Sequence, residues 1–330
     1  MVVPPSFGIA LRRAFDRGVH VAAQAVYSLP RAHPKRHGVR VLRDIPYLPT
    51  GLTDHLLDVY LPDDGEPAPS TAAPSGELRP AVVYIHGGAF CMLSKDTHRV
   101  MAMPFAKRGY VVFNINYRLG PVHTYPAPLE DAAAALRWVI ENARSYGADP
   151  DRIILAGESA GANLVTALTY IATHPTEEPF ARALHAAAPR IRAAIPIYGL
   201  LDLTDMARFT ARPRVPEWAK REVLTAATSY LGKPVDAAAR RYPLASPLRL
   251  FEADPPPDAR PLPPFFIACG TADMLLDDSR RLKAALDRRG AQATLEVFHG
   301  EVHGFNAMIW RPAAKAKWRA LFQFLSHAAL

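Results

Sequence analysis

The chain of 330 residues is 49% hydrophobic and 21% charged, enough apolar material for one large α/β domain with a smaller addition and too much for wholesale disorder. Lys and Arg outnumber Asp and Glu by 39 to 31, a net charge of +8, but the basic residues are scattered. Their densest clusters, residues 31–40 and 212–221, hold one aromatic, Trp218, and not the interleaved series of a base-stacking platform, so no nucleic-acid partner is expected.

From the N-terminus, Phe7, Leu11, Ala14, Phe15, Val21, Ala22, Ala25 and Val26 recur at helical spacing. They predict an amphipathic helix with a basic outer face, packed on its own domain. Arg12, Arg13, Asp16 and Arg17 interrupt any secretion signal, and no apolar run reaches the roughly 18 residues that span a bilayer. Two isolated cysteines, Cys91 and Cys269, make no disulfide framework. The expectation is a soluble cytoplasmic protein without stable membrane insertion.

Strands are expected at residues 39–47 and 56–61. The stretch PDDGEPAPSTAAPSGELRP, residues 62–80, reads as a surface loop between paired strands. Strand and helix patterns then alternate: strands at 81–85, 110–115, 153–156, 193–198, 265–269 and 293–298, helices at 128–146, 160–173, 279–288 and 313–325. Such alternation predicts an α/β fold with a mostly parallel eight-stranded sheet covered by helices on both faces. The interval from about 200 to 264 breaks the rhythm with a helical piece at 218–231 and a proline-rich run. It reads as an insertion lying over the sheet, together with the N-terminal helix.

The stretch ILAGESAGANL, residues 154–164, sets a lone serine between a strand and a helix. G-x-S-x-G in that setting is a nucleophile elbow, a turn so tight that its flanking residues must be small. Gly157, Ala160 and Gly161 meet that need. A helix starting at Ala160 aims N–H groups and its positive end at Ser159, where they stabilise developing negative charge. A serine hydroxyl also needs a base. His303 follows the last strand in a glycine-flanked loop, FHGEVHGF, suited to presentation. His299 nearby lacks the carboxylates or thiolates that would make a metal site of the two, and no metal is expected. The base in turn needs an acid to hold its tautomer. Asp273 comes first after the strand at 265–269, while Asp277 and Asp278 fall where they would cap the next helix. Donors for an oxyanion are expected from the glycine turn after residues 81–85. Gly87, Gly88 and Ala89 line the hole, with the N–H groups of Gly88, Ala89 and Ala160 as donors. Phosphate-loop and G-x-G-x-x-G patterns are absent.

With HGGAF, NYRLGP, YPAPLEDA, GADPDRIILAGESAGANL, ASPL, DMLLDD and VHGF in this order over about residues 80–305, the chain resembles the bacterial hormone-sensitive-lipase family of α/β-hydrolases, also called family IV esterases. The order Ser, Asp, His is that of the α/β-hydrolase triad. The resemblance implies a helical cap, here residues 1–38 and 200–262, over core segments 39–199 and 263–330. It implies hydrolysis of short- to medium-chain carboxylic esters, a small-molecule ester as partner, no cofactor, and a homodimer through residues 293–298 and 313–325. Two departures stand out. Ala89 replaces a usual third glycine, which leaves the hole intact if its φ is negative. Glu158 replaces a usual aspartate, with Arg118 as its guessed partner. Rival readings are an aryl-formamidase or amide hydrolase with the same triad, a non-catalytic small-molecule receptor, and an interfacial lipase.

Overall fold

The computed structural model describes residues 5–63, 77–211 and 215–328. Most of the expected 62–80 loop, the first residues of the 212–221 basic cluster, and the side chains of Phe7 and Leu11 lie outside it. In chain order the elements are α1 (Pro5–Ser28), β1 (Val39–Pro46), β2 (Leu56–Pro62), β3 (Arg79–Ile85), α2 (Arg99–Ala106), β4 (Val111–Ile115), α3 (Ala127–Asn142), β5 (Ala148–Glu158), α4 (Ala160–Thr173), α5 (Pro179–Ala186) and β6 (Ile191–Ile197). There follow α6 (Ala207–Thr210), α7 (Glu217–Leu231), α8 (Val235–Arg241), α9 (Pro247–Glu252), β7 (Phe265–Gly270), α10 (Leu276–Arg288), β8 (Ala293–Phe298) and α11 (Pro312–His327).

The eight strands form one sheet in the order β1-β2-β4-β3-β5-β6-β7-β8. β2 runs antiparallel to β1 and β4, and the remaining pairings are parallel. The apolar runs of β4 and β7 are buried along their whole length, as strands covered on both faces must be. One face packs Leu129 and Leu136 of α3, Leu164 and Leu168 of α4 and Leu282 of α10. The other packs Met101 and Phe105 of α2 against Leu321 and Leu325 of α11. Each fully buried Leu or Phe contributes about 1.5–3 kcal/mol.

α4 is buried on every side. Its threonines are satisfied within the helix: Thr166, Thr169 and Thr173 donate to the carbonyls four residues back at 2.7–2.8 Å. The helix expected at 128–146 ends at Asn142 and closes in a 3₁₀ turn, Ala143–Tyr146, stopped by left-handed Gly147. The interval after β6 holds α6 to α9. Among the described residues no helix is long and apolar enough to cross a membrane.

β3 lies between β4 and β5, so the chain leaves it in opposite directions along the sheet. The carboxyl ends of β3 and β5 meet at this reversal, the place where open α/β sheets bind ligands.

Candidate active site

β5 ends at Glu158 and α4 starts at Ala160, leaving Ser159 alone at the corner with φ +54° and ψ −115°. A non-glycine residue there is strained by about 1–3 kcal/mol. Ser159 is pinned by its own N–H, which donates to the Ile197 carbonyl at 2.9 Å, and by the Asn163 N–H, which donates to its carbonyl at 3.2 Å. The requirement for small neighbours has a steric cause. A Cβ on Gly161 would lie 2.1 Å from the Ile85 carbonyl oxygen, and one on Gly157 would lie 2.6 Å from the same atom. The elbow is pressed against the end of β3.

His303 Nε2 stands 2.9 Å from Ser159 Oγ. Its Nδ1 stands 2.8 Å from Asp273 Oδ2, and the other carboxylate oxygen accepts the Leu275 N–H at 2.9 Å. A carboxylate accepts only, so Nδ1 carries the proton and Nε2 offers its lone pair to the hydroxyl. The imidazole rests edge-on against buried Tyr198, ring centroids 4.8 Å apart. Partial desolvation pulls the His303 pKa down, but the charge and hydrogen bond of Asp273 prevail and hold it above the usual histidine value. The β7 turn and the His303 loop are packed backbone to backbone: a Cβ on Gly270 would meet the Glu301 carbonyl oxygen at 2.0 Å. His299 is exposed.

Asp278, one of the other acidic candidates, is used elsewhere. α10 begins at Leu276 without a side-chain cap, so the expected capping by Asp277 and Asp278 is corrected. Asp278 is instead fully buried. It accepts the N–H groups of Leu201 and Asp202 at 2.8 and 3.1 Å and pairs with Arg208. It ties the stretch after β6 to the start of α10, because a buried carboxylate with two peptide donors and a guanidinium is better satisfied than one facing a helix end.

The turn after β3 abuts the elbow: a Cβ on Gly87 would lie 3.3 Å from Ser159 Cβ. Gly88, Ala89 and Phe90 all have positive φ, +114°, +53° and +57°. The condition of a negative φ at Ala89 is therefore not met, although its N–H stays without an internal acceptor among the described residues. The N–H groups of Cys91 and Met92 both donate to the Gly88 carbonyl, closing a helical turn that here has the left-handed sense. Ala89→Gly is expected to raise stability by about 0.5–1 kcal/mol, the strain of left-handed alanine less the entropic cost of glycine. A higher urea midpoint at unchanged slope would show it.

Gly87, expected in the lining of the hole, does not turn its N–H into it. Its N–H donates to Glu158 Oε1 at 2.6 Å and is not available to a ligand. Among the described residues no internal acceptor takes the N–H of Gly88, Ala89 or Ala160. Arg118 is not the partner of Glu158: it forms a bidentate pair with Asp131 and reaches Glu130. Glu158 is held instead by Tyr84 and His98. Neither stood out in the sequence, because each lies in a stretch whose apolar pattern or turn residues carry no sign of the contact.

Several motif residues prove to be tethers. Asn163 donates to the carbonyls of Leu200 and Ala245, and Ser246 Oγ accepts the Leu203 N–H. The ends of the insertion are thereby fastened to the nucleophile helix. Phe90 stacks on Tyr230 of α7, ring centroids 4.0 Å apart, which clamps the glycine turn from above.

A family described as alpha/beta hydrolase fold matches residues 82–307. The chain is 30% identical over 308 residues to the esterase LipI of Mycobacterium tuberculosis (strain ATCC 25618 / H37Rv), covering 90% of this chain and 84% of that protein. It is 32% identical over 247 residues to the carboxylesterase NlhH of the same strain, covering 73% of this chain and 72% of that protein. The crystal structure of the esterase LipW from Mycobacterium marinum is similar with a TM-score of 0.75 at 23% identity, covering 98% of this chain and 91% of that one, a likeness of fold.

Proposed function

The chain belongs to the α/β-hydrolases, in their branch of bacterial esterases akin to hormone-sensitive lipase, and is a carboxylic ester hydrolase; from that premise we propose that it cleaves short- to medium-chain esters through Ser159, His303 and Asp273. The observation that carries this reading is the unbroken relay from Ser159 Oγ through His303 to Asp273, with spacings of 2.9 and 2.8 Å, at the carboxyl end of the sheet.

Ser159 Oγ attacks the ester carbonyl carbon while His303 Nε2 takes its proton. The carbonyl π electrons move to oxygen, and the resulting oxyanion is met by the N–H groups of Gly88, Ala89 and Ala160. Asp273 stabilises the imidazolium. Collapse of the tetrahedral intermediate breaks the bond to the alkoxy oxygen, which leaves as alcohol with the proton from His303. Water, deprotonated by the same nitrogen, then attacks the acyl-enzyme. The acid departs, and the proton returns to Ser159. Residues 1–38 and 200–262 serve as the cap over core segments 39–199 and 263–330. The acyl-length preference comes from the family resemblance.

The test is a series of p-nitrophenyl esters from acetate to palmitate beside a matched formanilide. The expected outcome is kcat/KM highest at the shorter acyl chains and turnover of the formanilide at least about 100-fold slower, since an amide leaving group is far poorer. Faster cleavage of the formanilide would overturn the ester reading in favour of an amide hydrolase.

A further inference from the structure

We propose that the buried His98–Glu158 pair is a positioning device for the oxyanion turn: it holds the Gly87 peptide so that the next two N–H groups, of Gly88 and Ala89, face the developing oxyanion. The inference rests on the assignment of Ser159 as nucleophile and of Gly88 and Ala89 as donors.

Glu158 is the last residue of β5, and its side chain turns beneath the elbow, 4% exposed. Oε1 accepts the Gly87 N–H at 2.6 Å and lies 2.8 Å from His98 Nε2. Oε2 accepts the Tyr84 hydroxyl. The protonation state of His98 follows from its neighbours. Nδ1 faces the Ser94 carbonyl at 3.0 Å and Thr97 Oγ1 at 2.9 Å. The threonine proton is already donated to the Ser94 carbonyl. A carbonyl and a carboxylate are acceptors only, so both ring nitrogens of His98 donate and the ring is an imidazolium.

The pair does two things for the reaction. A peptide fixed at its N–H fixes the peptides that follow, and donors already aimed at the transition state need no reorganisation. The imidazolium also cancels a carboxylate one residue from Ser159, which would otherwise oppose charge building on the oxyanion. Other ionisable groups do not supply that cancellation. His86, its ring 5.4 Å from that of His98, is kept neutral, its pKa lowered by burial and by the His98 charge to about 3. Lys317 of α11 is driven well below the usual lysine value by burial. Burial raises the pKa of Tyr84, Tyr117 and Tyr198 and keeps them neutral. His303, which feels the Glu158 charge, is committed to Asp273.

The loop carrying His98 is anchored from α1. His20 Nε2 meets Ser94 Oγ at 2.9 Å, Asp16 Oδ1 accepts the Leu93 N–H, and Tyr27 donates to the Thr97 carbonyl. The N-terminal helix is thus linked to the oxyanion turn through four hydrogen bonds, His20–Ser94, Ser94–His98, His98–Glu158 and Glu158–Gly87.

Burial opposes both charges, yet each partner outweighs it: the His98 pKa is raised and that of Glu158 lowered. The ion pair exists between those two values. On the acid side His303 protonates first, so the acid limb of the rate profile belongs to the base. On the alkaline side His98 loses its proton as pH rises through its raised pKa, and kcat falls.

The experiment measures kcat and KM on p-nitrophenyl butyrate across pH for wild type, His98→Gln, Glu158→Gln and the double variant, normalised to sites titrated by a p-nitrophenyl phosphonate. His98→Gln alone strands a buried carboxylate, and the uncharged double variant provides a folded comparison. Each single change is expected to lower kcat by about 10- to 100-fold with KM within about threefold, part of the effect of losing an oxyanion donor. The alkaline limb is expected to vanish in His98→Gln while the acid limb stays, and the double variant to be no slower than the slower single. Wild-type kcat per titrated site with an unchanged alkaline limb, in either the single or the double variants, overturns the inference. A wild type that the phosphonate fails to titrate brings down the assignment of Ser159, and this inference with it.

Discussion

Ser159→Ala is expected to lower kcat/KM on p-nitrophenyl butyrate by on the order of 10⁴-fold or more, with little change in thermal stability. The substitution removes one atom, Oγ, whose role in the described structure is the 2.9 Å contact to His303 Nε2. The backbone contacts that hold the corner, from the Ser159 N–H to Ile197 and from the Asn163 N–H to its carbonyl, are untouched. Alanine and serine carry the same Cβ and suffer the same strain at φ +54°. A residual rate above that in water is expected, because the donors of Gly88, Ala89 and Ala160 still stabilise an oxyanion formed by attack of water. Steady-state kinetics beside a thermal melt checks both halves. A variant that keeps more than about a tenth of the activity would place the nucleophile elsewhere, since losing the nucleophile of a triad costs on the order of 10⁴-fold or more.

The second large effect falls on Asp273→Asn. Asparagine has the same shape but no charge, and its amide can turn its NH₂ group toward His303 Nδ1. That choice selects the tautomer with the proton on Nε2, facing Ser159, where it cannot act as a base. A loss of about 10⁴-fold in kcat is expected. The pH dependence has a definite sign. His303 must be neutral to accept the serine proton, so the rate falls as pH drops through its pKa. In the wild type that pKa is held above the usual histidine value chiefly by Asp273 working against desolvation, so the acid limb lies on the high side. In the variant the charge that raises it is gone, and the acid limb moves to lower pH while the plateau drops. A plateau within about tenfold of wild type would mean that another carboxylate orients the histidine. Asp278 is not that carboxylate, because Arg208 and the peptides of Leu201 and Asp202 occupy it.

Much of the fold is legible in one dimension. β3, β4 and β7 are short apolar runs bounded by turns, and α4 and β8 begin and end at the residues their patterns indicate. α2 was not visible: it spans 8 residues with Pro104 inside, too short for a period to emerge. The first residues of β5 were also missed, because Asp149, Pro150 and Asp151 break the apolar run, although the strand is continuous through them. Their pairing with β3 is a tertiary fact.

By itself the sequence determined the chemistry available and its order along the chain: a serine on a turn of small residues, a carboxylate after one strand, a histidine after the next, and a glycine turn after β3. These are local choices, dictated by backbone geometry within a few residues, so they can be read from spacing. The tertiary structure alone decided how those pieces are used. Ala89 is left-handed within a turn in which the Cys91 and Met92 N–H groups close on the Gly88 carbonyl. The Gly87 N–H is lost to the hole because β3 and β5 are neighbours in the sheet, which brings Glu158 beneath it. Glu158 takes His98 rather than Arg118 because His98, in the loop anchored by α1, is buried beside it, where a carboxylate must find a cation. Asp278 serves Arg208 rather than its own helix for the same reason. Each of these outcomes pairs groups far apart in the chain, and the cost of leaving a buried charge or peptide unpaired, which no local pattern records, selects the partner.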